Sequence, residues 1–185
     1  MADPAAMLLG AAVVVACIAA ALSIVWFTWR TGIAPMPTTP RACRAMLAAT
    51  QDAPAGDVVD LGSGWGTLAI AFARQHPQRR VIGYEMSWLP WAASVTLGRA
   101  LRLRNLSFRR ADFLHADLSQ AGVLLCFLFP RGMQAVAQRL RQGDCPRALV
   151  VSNTFALPGF APAAVVSLDD LYRTKVYVYR PVAPA

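Results

Sequence analysis

Apolar, strand-like segments alternate with helical segments along most of the chain, and this alternation limits the folds available to it. Strands are predicted at 57–61, 80–84, 106–110, 122–129 and 147–152, and helices at 67–75, 87–103 and 134–142. Helical crossovers between strands favour parallel pairing. Two further segments, 164–168 and 174–179, are joined by a short connection and are predicted to pair antiparallel. The sequence therefore predicts an α/β fold, a doubly wound, mainly parallel sheet with an antiparallel C-terminal strand.

The segment from Met7 to Trp29 contains 23 residues and no charged side chain. As a helix it would measure roughly 34 Å, at about 1.5 Å per residue, which exceeds a hydrocarbon core of about 30 Å. Trp26 and Trp29 lie at its C-terminal end, where indole rings favour the headgroup boundary. We therefore predict one N-terminal transmembrane helix within residues 1–30. A signal sequence and a buried helix are the alternatives.

The charges that flank this segment predict its orientation. Asp3 precedes it, whereas Arg30, Arg41 and Arg44 follow it. The positive-inside rule then places the N-terminus outside and the following domain in the cytoplasm, at the inner membrane if the source is bacterial.

The domain after this helix is strongly basic. Residues 30–185 contain all 18 basic residues and nine of the ten acidic ones. Five arginines lie within residues 99–110 and are interpreted first as a solvated helix face. Contact with anionic lipid headgroups is the second interpretation. A nucleic-acid partner is disfavoured, because no helix-turn-helix or aromatic-interleaved pattern accompanies the charge.

A proline-punctuated segment separates the predicted anchor from the predicted domain. Three prolines within residues 31–40 disfavour a regular helix. Pro40 suits the first turn of a helix that runs to about Ala49, with Thr38 or Thr39 as its N-cap. The predicted organisation is an anchor at 1–30, a linker and lead-in helix at 31–50, and a domain at 51–185.

A glycine-rich loop follows the first predicted strand. Asp60 precedes a G-x-G-x-G sequence that spans Gly62 to Gly66, and Glu85 ends the next strand. Glycines let the backbone approach a ligand closely and turn sharply into a helix. An acid at the end of the second strand accepts ribose hydroxyls in nucleotide-binding sheets. The alternatives are a turn without ligand and a nicotinamide site, which would have its third glycine at position 67.

This combination of an acid, a G-x-G-x-G loop and a second acid resembles motifs I and II of class I S-adenosylmethionine-dependent methyltransferases. The resemblance implies that residues 51–185 form a Rossmann-like methyltransferase domain with S-adenosyl-L-methionine as cofactor. In this family the methionine end would be held by residues that here are Asp60, Gly62, Ser63, Gly64 and Gly66. Glu85 would bind the ribose, and Met86 would pack on the adenine.

Asp112 and Phe113 follow the third predicted strand, where the resemblance implies contact with the adenine base. Each residue here also has a structural alternative. Asp112 is a candidate helix cap, and Met86 and Phe113 are candidate core residues.

A narrower resemblance rests on the apolar N-terminal helix, the prolines of residues 35–40, Gly83 to Glu85, and Phe127-Leu128-Phe129-Pro130. Together they resemble the membrane-anchored protein lysine methyltransferases of the mitochondrial inner membrane and their bacterial relatives. That resemblance implies methylation of lysine in a membrane or membrane-associated protein. The alternatives are methylation of a lipid, quinone or other small amphiphile, and a scaffold that binds the cofactor without methyl transfer.

The acceptor pocket is predicted from apolar residues near the loop. A lysine acceptor must be neutral, and apolar surroundings lower its pKa because they disfavour the ammonium form. Phe129 and Pro130, with Phe127 and Trp65, are candidate walls, and Asp117 is a candidate proton acceptor. The catalytic base is otherwise unassigned, and no oligomeric state is predicted. No metal site is predicted, because the four cysteines form no C-x-x-C pair and the sequence contains only two histidines as further ligands.

Overall fold

The computed structural model describes residues 4–31 and 36–180. Its helices are α1 (Pro4–Thr31), α2 (Pro40–Ala48), α3 (Thr67–Gln75), α4 (Trp88–Ala100) and α5 (Pro130–Arg141), with a short 3-10 helix at Phe113–His115. Its strands are β1 (Asp57–Leu61), β2 (Val81–Tyr84), β3 (Leu106–Arg109), β4 (Ala121–Cys126), β5 (Leu149–Asn153), β6 (Ala164–Ser167) and β7 (Lys175–Tyr179). Part of the predicted linker, residues 32–35, and the side chains of Trp29 and Arg30 lie outside the described parts.

The seven strands form one sheet in the order β3-β2-β1-β4-β5-β7-β6. The first five strands are parallel, and β7 runs antiparallel to both β5 and β6. The predicted α/β fold with an antiparallel C-terminal strand is therefore confirmed. The chain order reverses between β1 and β4, which is where open α/β sheets bind their ligands.

Two predicted boundaries after the third strand are wrong. The apolar run 122–129 predicts a strand throughout, yet β4 ends at Cys126 and Phe127 begins the connection to α5. The next helix begins at Pro130 instead of residue 134, because proline suits the first helical position: it has no N–H that would lack a partner there, and its φ angle is already helical. An apolar composition shows that this stretch is buried, but it does not show where the chain leaves the sheet.

Helices cover both faces of the central strands of the sheet, whereas the edge strand β6 is exposed. On one face α5 contributes Met133, Val136 and Ala137 to an apolar cluster with β4 and β5. On the other face Met46 of α2 and Phe72 of α3 pack against β1, β4 and β5. Since β4 is covered on both sides, all six of its residues are buried and none is charged, whereas β1 carries the acids Asp57 and Asp60 beside its apolar residues.

The N-terminal helix α1 differs from the others in its surroundings. An 18-residue part of it, Ala5–Leu22, has a mean hydropathy of 2.6, and none of that part is buried within the structure. By length and composition α1 is able to cross a membrane. It contacts the domain at α4.

Candidate active site

A cavity of about 580 Å³ opens at the carboxyl ends of the parallel strands. Six parts of its lining lie before β6: the β1–α3 loop, the ends of β2, β4 and β5, the start of the 3-10 helix, and the segment just before α2. The connection between β6 and β7 contributes as well. The cavity therefore lies at the reversal point of the sheet, as the sequence predicts.

Three glycines shape the loop between β1 and α3, and two of them, Gly62 and Gly64, line the cavity. Gly62, Gly64 and Gly66 all have positive φ angles, of 77°, 51° and 78°. A Cβ atom on Gly62 would lie 2.8 Å from Leu128, and one on Gly66 would lie 2.6 Å from Phe108. A Cβ on Gly64 would meet nothing within 4 Å. Gly62 and Gly66 are thus required by close packing, whereas Gly64 leaves the cavity open at its own position.

Glu85 fixes this loop through its carboxylate. The Gly64 amide donates a hydrogen bond of 2.9 Å to Oε2, and the Ser87 amide donates one of 2.7 Å to Oε1. The side chain is almost buried and lines the cavity. Each carboxylate oxygen has a second lone pair, so both oxygens retain acceptor capacity toward a ligand.

Asp60 is buried at the end of β1, with one carboxylate oxygen unpaired. Its Oδ2 has no hydrogen-bond partner among the residues that the structure describes, although the residue lines the cavity. Burial raises the pKa of the Asp60 carboxyl to about 7. The hydrogen bond from the Ala69 backbone opposes this shift, and the nearby Glu85 carboxylate adds to it. A cation in the cavity beside this carboxyl would favour its charged form and lower the raised pKa again.

The predicted adenine residues are only partly brought together. Met86 and Phe113 line the cavity, and Phe113 also packs against the core cluster. Asp112 is not part of the lining; its Oδ1 accepts a hydrogen bond of 2.9 Å from the Leu114 amide and caps the 3-10 helix. In this structure Asp112 therefore acts as a helix cap, which is the alternative to adenine contact given above.

Some of the predicted acceptor residues line the cavity, and others do not. Phe127 and Phe129 line the cavity, and the Phe129 ring lies 5.2 Å from that of Phe155, measured between centroids. Pro130 begins α5 and does not line the cavity. Asp117 is exposed and also lies outside the lining. Its pKa is below the usual value because it accepts a hydrogen bond from the Ser119 amide.

Several lining residues are not predicted from the sequence as site residues. They are Met36, Pro37, Thr38 and Thr39 before α2, Asn153, Thr154 and Phe155 after β5, and Tyr172 and Thr174 before β7. Thr154 has a φ of 68°, a conformation that non-glycine residues rarely adopt and that often marks a functional loop. The general rule that ligands bind beyond carboxyl strand ends would have selected the residues after β5.

Arg139 of α5 holds the segment that carries Phe113. Its guanidinium donates hydrogen bonds of 2.6 Å to the Phe113 carbonyl and 2.7 Å to the Ala116 carbonyl. A third bond, of 2.5 Å, reaches Asp144 Oδ2. The side chain is 15% exposed, so these bonds are partly shielded from water. Arg139 therefore positions one wall of the cavity without lining it.

We expect Arg139→Met to lower the melting temperature by roughly 4–8 °C, because it removes charged hydrogen bonds worth about 2 kcal/mol in total. Arg141→Met, on the same helix, is the matched control, since the Arg141 side chain makes an exposed bond to the Pro158 carbonyl. Thermal unfolding of the full chain in detergent measures both variants. Equal shifts for the two would contradict the positioning role.

The fold and the site together define a class of enzyme. A sheet in this strand order, an acid-flanked glycine loop after β1 and an acid at the end of β2 characterise the class I S-adenosylmethionine-dependent methyltransferases, and S-adenosyl-L-methionine is the cofactor. Within this class, the family described as "ANTKMT methyltransferase domain" matches residues 60–164, more than half of the chain. The chain belongs to that family.

Two named proteins and one solved structure illustrate the sequence identity and coverage of the matches. The chain is 36% identical over 113 residues to the adenine nucleotide translocase lysine N-methyltransferase of Mus musculus, covering 60% of this chain and 48% of that protein. It is 25% identical over 142 residues to a protein-lysine N-methyltransferase of Saccharolobus islandicus (strain REY15A), covering 73% and 84%. The match thus spans about half the length of the mouse relative.

The solved structure is an RNA methyltransferase from Salinibacter ruber in complex with S-adenosyl-L-homocysteine. It superimposes with a TM-score of 0.72 at 27% identity, and the match covers 81% of this chain and 96% of that one. Nearly the whole of that protein therefore corresponds to the domain that follows α1.

Proposed function

We propose that this protein transfers a methyl group from S-adenosylmethionine to lysine in a membrane or membrane-associated protein. The observation that carries the proposal is a single cavity with two different ends. Glu85 and the glycine loop form a polar end, and Phe127, Phe129 and Phe155 form an aromatic wall. The two protein relatives are both named as lysine methyltransferases, and the mouse relative is named for a translocase.

The residues at the polar end fit the cofactor. Glu85, whose oxygens retain acceptor capacity, would take the ribose hydroxyls, and Met86 and Phe113 would border the adenine. Asp112, which caps the 3-10 helix, would hold the base only if its carboxylate also turned toward the cavity. The methionine end would be surrounded by the end of β1 and the glycine loop, that is, by Asp60, Gly62, Ser63, Gly64 and Gly66. The unpaired Oδ2 of Asp60 supports this placement, because a buried acceptor matches the cationic groups of the cofactor.

The aromatic end fits an amine that must lose a proton. The cofactor supplies an activated methyl group on sulfur, so the protein mainly positions the acceptor and excludes water. The paired rings of Phe129 and Phe155 shield an amine from water, and this loss of solvation disfavours the ammonium form and lowers the pKa of a lysine there. Asn153 and Thr154 line the cavity beside them and offer polar atoms to orient the amine. Pro130 supports this wall as the first residue of α5.

The organisation of the chain supports a substrate at the membrane. We assign residues 1–30 to a single-pass anchor, 31–50 to a linker and lead-in helix, and 51–185 to the methyltransferase domain. The unburied, apolar α1 supports the anchor, and the arginines that follow it support an N-terminus outside and a cytoplasmic domain. An anchored enzyme meets a membrane-bound substrate at a raised effective concentration.

Transfer of a labelled methyl group tests this function. Membranes from cells that lack the protein are incubated with the purified full chain and methyl-labelled S-adenosylmethionine. We expect label in a discrete protein band, assigned to lysine by mass spectrometry. Label confined to the organic extract would move the assignment to a lipid or quinone, and label in RNA would overturn the protein assignment. No transfer, with cofactor binding verified separately, would favour the scaffold alternative.

Cofactor binding is expected to tighten as the pH rises toward 7. The folded-state pKa of Asp60 is raised to about 7, so below that pH the cationic cofactor must displace a proton. The dissociation constant for S-adenosylmethionine should fall by up to about tenfold per pH unit from roughly pH 5.5 to pH 7, and should then level off. Calorimetric titration measures this dependence in the wild type and in Asp60→Asn.

In Asp60→Asn the same titration should show a flatter profile. The titration of the cofactor itself is common to both proteins and cancels in the comparison. Identical pH profiles for the two proteins would remove Asp60 from the cofactor site.

A further inference from the structure

Exposed apolar side chains lie at the edge of the sheet where the cavity opens. Leu171 is 89% exposed and Tyr172 is 84% exposed, in the connection between β6 and β7. Met36 is 68% exposed, directly before α2. We call the complete set the rim: Met36, Trp88, Leu114, Phe129, Leu171 and Tyr172. Apolar residues of this size, gathered at one edge of a sheet, mark an interaction surface.

The topology explains why these residues share an edge. Trp88, Leu114 and Phe129 follow the carboxyl ends of β2, β3 and β4, which are parallel. The sheet pairing makes β6 parallel to β5, so the connection that carries Leu171 leaves at the same edge. Three members of the rim, Met36, Phe129 and Tyr172, also line the cavity, so the rim and the cavity share this edge of the sheet.

Arginines accompany the rim. The exposed arginines at this edge are Arg41, Arg109, Arg110, Arg131 and Arg173. Arg110 places its guanidinium 4.0 Å from the centre of the Trp88 ring. Apart from the buried Asp60 and Glu85 inside the cavity, the acids at this edge are Asp112, Asp169 and Asp170. Two of these carboxylates accept hydrogen bonds from backbone amides: the Leu114 amide donates to Asp112, and the Thr174 amide donates to Asp170. The edge is thus apolar with a net positive charge.

The chain itself limits how far this edge lies from α1. Thr31 ends the helix, and Met36, five residues later, already lines the cavity. Five residues span at most about 18 Å when fully extended. A contact between α1 and α4 adds a second restraint on the same domain. If α1 crosses a bilayer, the cavity mouth is held within this distance of the point where the chain leaves it.

We propose that the rim docks on the surface of a bilayer containing anionic phospholipids, so that the cavity opens toward the headgroups. This inference rests on the anchored methyltransferase proposed above and narrows its substrate. The acceptor lysine is one that lies at the headgroup level, next to a membrane-spanning segment. Aromatic and leucine side chains enter the interface, and arginines around them attract anionic lipids by about 1 kcal/mol, or about fivefold, for each charge near the surface.

Site-directed spin labelling of the full chain tests the docking. Leu171→Cys is labelled with a nitroxide in a Cys17→Ser background, because the three other cysteines are buried. The protein is reconstituted in vesicles of phosphatidylcholine and phosphatidylglycerol. Collision rates with oxygen, which partitions into lipid, and with an aqueous nickel complex are then measured. The matched control is Gln120→Cys, exposed at the start of β4 on the opposite edge.

The expected result is a higher oxygen rate and a lower nickel rate at residue 171 than at residue 120. Arg110→Gln combined with Arg131→Gln should reduce the docked population by about fivefold for each charge. A label at residue 171 that remains accessible to nickel would overturn the docking. Low rates for both reagents would also overturn it, because they indicate contact with protein.

Cofactor binding, measured on the same labelled samples, separates the two proposals. A protein that binds S-adenosylmethionine but keeps residue 171 in water refutes the docking alone. A protein that docks but binds no cofactor refutes the proposed function instead.

Discussion

Gly64→Arg is expected to abolish cofactor binding, with a loss of affinity of at least about a thousandfold. Gly64 has no atoms within 4 Å of the position of a Cβ, so a side chain there would extend into the cavity. An arginine would fill the space beside Asp60 and place its own cation where the cofactor brings one. Calorimetric titration of the full chain with S-adenosylmethionine measures the effect, and labelled methyl transfer should be lost with it.

Gly64→Ala is the matched control. It carries the same backbone strain, because φ is 51°, but its methyl group meets open space. A left-handed non-glycine residue costs about 1–2 kcal/mol, so we expect lower stability and largely retained binding. If Gly64→Arg binds the cofactor normally, the cavity is not the cofactor site.

Glu85→Gln has the second largest expected effect. The substitution keeps the size of the side chain but replaces one acceptor oxygen with a donor that faces a backbone amide. Hydrogen bonds to a charged group contribute about 1.5–3 kcal/mol each, so the dissociation constant for S-adenosylmethionine should rise at least about tenfold. The conformation of the loop at Gly64 depends on this carboxylate, and so does the ribose contact proposed above.

Asp117→Asn is the comparison variant for Glu85→Gln. Its carboxylate also accepts a backbone amide bond, from Ser119, but it is exposed and outside the cavity. We expect its cofactor affinity and its rate of methyl transfer to match the wild type. A large loss of rate with unchanged affinity would return Asp117 to the role of proton acceptor and would require its loop to move.

The cofactor end of the site is the part best predicted from the sequence. Asp60, Gly64 and Glu85 lie where the motif predicts, because the ends of adjacent parallel strands must meet at one edge. Local sequence suffices there, since a few residues specify the turn and bring the two acids to the cavity beside it.

The acceptor end was harder to predict, because it is assembled from distant parts of the chain. Thr154 and Tyr172 reach the cavity through the antiparallel pairing of β7 with β5 and β6. No short motif records that pairing. Asp112 and Asp117 illustrate the opposite problem, since each forms a local hydrogen bond with the backbone two residues on. A short acidic side chain in a turn satisfies such a bond more easily than it reaches a ligand.

The position of β7 has a consequence for the order of folding. This strand comes last among the described elements, yet it lies between β5 and β6 and provides the pairing of β6. While the chain is being synthesised, β5 is therefore an unprotected edge and β6 has nothing to pair with. The wall that holds Phe155 can only close after β7 has emerged, long after α1 could have entered a membrane. The nascent domain should then complete its sheet beside the bilayer, with the aromatic end of its cavity formed last.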